Sequence, residues 1–113
     1  MTTNFSMTAG DHKTLIVDVV DQSGAAVVIT GATIAWRAAR SLGKSAVISK
    51  TTSSGITITD GPGGEFSVTL SPSDTNSLVG NYYHEAQVTL SAGTILTVLT
   101  GTMKINKALI VAT

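Results

Sequence analysis

No cysteine occurs among the 113 residues, which excludes a disulfide framework, a thiolate nucleophile and a cysteine zinc site, and leaves the redox compartment open. Charged residues make up only 12% of the chain and aromatic residues only 4%. Seven basic residues balance seven acidic ones, so the electrostatic footprint of a nucleic-acid or anionic-membrane binder is missing, and no nucleic acid and no membrane partner is implied. No stretch approaches the ~18 apolar residues of a membrane helix. The opening "MTTNFSMTAGDHK" lacks a basic region followed by an apolar run, so a soluble chain without a signal peptide is expected.

What is present is a 42% hydrophobic composition, enough for a globular fold that buries roughly two thirds of its unfolded surface. A second domain would leave each part too small for its own core, so residues 1–113 are expected to form one domain. A near-neutral surface with few charges offers little protection against self-association, which favours a component covered by neighbouring subunits.

Threonine, valine and isoleucine recur with period two, and glycine-bearing breaks fall about every 8 to 12 residues, the pattern of an all-β sandwich or barrel. A first strand near Phe5 to Ala9 precedes "HKTLIVDVV", where Leu15, Val17 and Val19 share a face. "GATIAWRAAR" puts Ile34, Trp36 and Ala38 on one face. Between Lys44 and Thr59 the pattern weakens into two short strands around a Ser-Ser-Gly turn, as at a sheet edge. "DGPGG" reads as a tight loop, after which Phe66, Val68 and Leu70 point inward. "SPSDTNSL" fits one helical turn near residues 72–78, with Ser71 as N-cap, Pro72 at the first position and Asp74 at the positive end. Beyond Gly80, the residues Tyr82, His84, Ala86, Val88 and Leu90 fall on one face and Tyr83, Glu85, Gln87 and Thr89 on the other. A long final strand, "ILTVLTGTMKI", is interrupted at Gly101, read as a bulge or a crossing point.

The expected architecture is an immunoglobulin-like antiparallel β-sandwich of about seven strands. Tyr82 is placed like a tyrosine corner, its ring inward and its hydroxyl returning to backbone in the "SPSDTN" turn, and Trp36 like the tryptophan buried between sheets. Trp36, Tyr82, Phe66 and Val88 are the expected structural core, with Tyr83 left on the outer face. His12 and His84 share no ligand spacing, and His84 falls on the inward pattern. A nucleophile elbow and a calcium-loop motif are both missing, and the loops carrying Asp11, Asp60 and Glu65 are the only plausible place for a calcium ion. "GPGG" lies between strands, lacks the lysine that follows in phosphate loops and opens no helix. No catalytic residue, cofactor or metal is expected. The closing run with Leu109, Ile110 and Val111 would be an awkward exposed patch and is expected to dock on a neighbour.

From Thr30 to Ile105, the order "TGATI", "DGPGGEFSVTLSPSDT", "GNYYHEAQVT" and "TVLTGTMKI" resembles the small immunoglobulin-like domains of tailed-bacteriophage structural proteins, in particular the N-terminal domain of phage baseplate upper proteins. "GDHKTLIVDVVDQSGAAVVITGA" resembles the opening strand pair of that family. The resemblance implies a non-enzymatic virion component, made in the host cytoplasm, that binds other virion proteins through sheet edges and loops, with a homo-oligomer expected. Baseplate, tail, neck and capsid decoration remain open, since the resemblance does not extend to the larger C-terminal receptor-directed module of that family. The alternative is a carbohydrate- or receptor-binding module, with Tyr83 stacking on a host glycan.

Overall fold

The computed structural model describes residues 3–109. In chain order it contains β1 (Phe5–Thr8), β2 (Lys13–Asp18), β3 (Thr33–Ala39), β4 (Ala46–Thr51), β5 (Ile56–Asp60), β6 (Glu65–Leu70), α1 (Pro72–Thr75), β7 (Gly80–Thr89) and β8 (Ile95–Asn106). One sheet has the order β1-β8-β7-β3-β4 and the other the order β2-β6-β5. This is an all-β sandwich with immunoglobulin-like strand order, β2, β6 and β5 taking the places of strands B, E and D, and β3, β4, β7 and β8 those of C, C′, F and G.

Eight strands are described, and the two short ones of the weak region, β4 and β5, do not pair with each other. β4 is the edge of the larger sheet and β5 the edge of the smaller; the turn between them carries the chain across, leaving an isolated bridge from Thr51 to Gly55. A difference lies at the N-terminus. β1 runs parallel to β8, with Phe5 opposite Met103, so the sandwich is not wholly antiparallel.

Period two does the sorting. In β7 the burial alternates along the strand, and its inward side meets Trp36 from β3, Phe66 from β6 and Met103 from β8 in one core. Each large side chain sealed there contributes roughly 1.5–3 kcal/mol relative to exposure. The β6-to-β7 crossover runs through α1, where Ser71 is the N-cap and Pro72 opens the helix. The Asp74 carboxylate accepts the Ser71 N–H at 2.7 Å and pairs with Lys50 of β4 at 2.8 Å. Thr75, fully buried, accepts the Gly10 N–H at 3.0 Å. The turn is thus fastened to β4 and to the β1–β2 connection.

The "DGPGG" loop closes the β5–β6 hairpin. Asp60 accepts the Gly63 N–H at 2.9 Å, and Gly64 has φ +75 with the Val27 and Val19 carbonyls where a Cβ would stand. Any other residue there would be both strained and obstructed. The β7–β8 ladder shifts register between Ala86 and Gln87, partners of Leu99 and Thr97, so the bulged residue is Val98. Gly101 pairs in register with His84, and its role is that of a crossing point, described below.

Candidate functional site

Trp36 in β3 and His84 in β7 form a buried polar centre. Both side chains are fully sealed, and the Trp36 indole N–H donates to His84 Nδ1 at 3.1 Å. With Nδ1 accepting, the ring proton sits on Nε2, where it donates to the Thr3 carbonyl at 2.7 Å. Phe5 of β1 meets the imidazole edge-on at 5.2 Å. Burial pushes the His84 pKa below its ordinary value of 6.5, against a smaller upward effect of the Thr3 carbonyl. Every polar atom of the pair is satisfied in the neutral state. With both nitrogens engaged and no exposed surface, His84 presents nothing to a substrate.

Its position is informative. His84 follows Tyr82 by two residues in strand F, the place antibody domains give to the second cysteine, and Trp36 stands where their buried tryptophan does. A hydrogen-bonded Trp–His pair thus holds the centre in which those domains set a tryptophan against a disulfide. Phe66 and Val88 are fully buried in the same core.

The two tyrosines part company as period two requires. Tyr82 is 2% exposed, with the Arg40 guanidinium 4.4 Å from its ring centre. Its hydroxyl donates to the Val79 carbonyl at 3.3 Å, three residues upstream, and not to the "SPSDTN" turn. Tyr83 stands on the outer face of the larger sheet, half-buried. There it lines an open depression of about 370 Å³ together with Arg37, Leu42 and Glu85.

Arg37 and Glu85 are directly opposite one another across the β3–β7 ladder. Their neighbours on this face include the uncharged Ala35, Gln87 and Thr100, while Lys44 lines the depression and Lys104 stands farther along β8, opposite Asn81. Leu42 at the β3–β4 turn is 72% exposed. The pattern of β7 placed Tyr83 outside; the facing of Arg37 and Glu85 depends on pairing register and had no local signal.

Two of the three acidic loop residues are held at the β5–β6 hairpin. Glu65 accepts the Thr59 hydroxyl at 2.8 Å, Asp60 is engaged as described, and Asp11 and His12 are exposed. Among the described residues, no group of three or more His, Cys, Asp or Glu side chains is gathered to hold a metal ion. No helix among them is long and apolar enough to cross a membrane. At the C-terminal end Leu109 is 98% exposed, while Ile110 and Val111 lie outside the described residues. No protein-family model matches the chain, and a search of curated proteins returns no match.

Proposed function

We propose that this chain is a non-enzymatic structural protein of a tailed-phage particle, acting in protein–protein assembly at the baseplate or tail, the neck or the capsid surface. The single observation that carries the reading is the coupling of an immunoglobulin-like strand order with an outer sheet face that sets Leu42 and Tyr83 beside the facing residues Arg37 and Glu85. A dry interior holds the faces rigid, and the faces and free sheet edges are what a neighbour can use. The resemblance to phage immunoglobulin-like domains supplies the particle. The test is to add the purified chain to phage particles assembled without it. Co-sedimentation with the particles is expected, and a chain that stays in the supernatant at every ratio overturns the proposal.

The alternative reading is a carbohydrate- or receptor-binding module, favoured by the half-buried Tyr83 beside Arg37 and Glu85. A ring flanked by one cation and one anion can stack on a sugar and hydrogen-bond its hydroxyls. Against it stands the single ring, since sugar platforms as a rule use more than one. A glycan array with no binding removes this reading and leaves the assembly reading intact.

A further inference from the structure

The geometry points to a symmetric homodimer formed by packing the outer face of the larger sheet, centred on Arg37 and Glu85, against the same face of a second copy. This rests on the assembly reading and names one neighbour within it.

A twofold interface must be self-complementary, because each residue that touches a partner residue is touched in return. Arg37 and Glu85 satisfy that condition. They are opposite in charge, adjacent across the β3–β7 ladder, and among the described residues no ion pair joins them within the chain. A twofold axis passing between them brings each Arg37 onto Glu85 of the other copy, making two equivalent charge pairs from one patch. The residues that adjoin the pair are uncharged, Ala35 and Gln87 beside it and Thr100 facing Glu85 from β8; Lys44 lines the same depression and Lys104 lies farther along β8, opposite Asn81.

The apolar contribution comes from Tyr83 and Leu42, which line the same depression as the charged pair. Leu42 is 72% exposed at a turn, where a large aliphatic side chain has no packing role in the isolated chain. Tyrosine and arginine are the residue types that most often anchor such interfaces. A heterologous partner would need its own matching acid and base in this spacing, whereas a second copy already carries them. The zero net charge means that two copies approach without long-range repulsion.

Sedimentation velocity over a concentration series of the full chain tests the proposal by charge reversal. The native chain is expected to sediment as a dimer at micromolar concentration. Arg37→Glu and Glu85→Arg each place like charges across the axis, and each is expected to weaken dimerisation by about tenfold or more. The double exchange, Arg37→Glu with Glu85→Arg, restores opposite charges and is expected to return the native affinity to within about threefold. Circular dichroism establishes that each variant is folded, as expected for changes on an outer face. A monomeric native chain, or single variants that dimerise as the native chain does, overturns the proposal. A monomer that still co-sediments with particles sinks the dimer alone; a dimer that does not co-sediment sinks the assembly role alone.

Discussion

Gly101 of β8 lies directly across the ladder from His84 of β7, and the missing side chain at the first admits the group that completes the second. A Cβ at Gly101 would stand on the Thr3 carbonyl, the same carbonyl that accepts the His84 proton. The N-terminal segment is held in this groove by further bonds, from the Thr3 N–H to the Thr100 carbonyl at 2.8 Å and from the Thr102 N–H to Asn4 at 2.9 Å. Glycine is needed at this position for close approach of backbone to backbone.

Gly101→Ala is therefore expected to lift the N-terminal segment off β8 and strand the buried Nε2–H of His84. The expected cost is about 2–3 kcal/mol in urea unfolding, the sum of a lost buried hydrogen bond and a displaced strand. Amide exchange should accelerate first in residues 3–8, where a general loosening of the core would accelerate the whole sheet.

Trp36 and His84 should behave as a coupled pair. His84→Phe leaves the indole N–H unpartnered in a dry interior, and Trp36→Phe leaves Nδ1 unpartnered, each expected to destabilise by about 2–4 kcal/mol once packing changes are included. The double variant removes both ends of one bond and should cost less than the sum by about 1 kcal/mol or more. Strict additivity in chemical denaturation would contradict the bond.

Stability should fall on mild acidification. The folded ring resists protonation while the unfolded chain binds a proton as pH drops through 6.5, so the unfolded state carries more protons and unfolding becomes easier. The loss begins near that value and stops growing once the pH passes the lower folded-state pKa. Phe5 and Trp36, which pack on the ring, offer no charge to offset it. His84→Gln should flatten the melting temperature between pH ~7 and ~5. A separate acid limb belongs to Asp74. Burial pushes its carboxyl up, but hydrogen bonds from Lys50 and Ser71 outweigh that and hold it below its ordinary 3.8. Its contribution is present above that value and is lost as pH falls toward the lower folded one.

The neighbouring tyrosines should separate cleanly by phenotype. Tyr82→Phe removes one long hydrogen bond and is expected to cost about 0.5–1 kcal/mol, whereas Tyr82→Ala opens the core at about 3–5 kcal/mol. Tyr83→Ala should change stability by less than about 0.5 kcal/mol and act only on association. Equal thermal shifts for the two alanine variants would contradict their opposite facing.

The strand face of β7 was legible because ten residues of unbroken alternation leave one register of inside and outside. α1 was legible because N-cap, proline and acidic residue fall in order over four positions. The weak region resolved into strands of two different sheets, which local pattern could not reveal: β4 buries Ile48 alone at this level, so little of its sequence says which layer it joins. Of the two readings of Gly101, bulge or crossing point, the second holds: the bulge lies at Val98, set by the register of both strands, and the glycine answers to a backbone passing overhead. His84 was legible as inward, but its partner was not. Trp36 lies 48 residues away and stands diagonally across the ladder, opposite Ala86. The outer-face pairing of Arg37 and Glu85 is hidden for the same reason.

The pairing of β1 with β8 has a bearing on biosynthesis. Asn4 and Thr102 are joined although 98 residues apart, so a strand that leaves the ribosome early must wait, unpaired, until one translated much later has cleared the exit tunnel. During that interval Phe5 lacks its cover and His84 its acceptor. The sandwich is sealed from the N-terminal side only once β8 has left the tunnel, which makes the interval before it the one in which a chaperone, or an early neighbour, can still intervene.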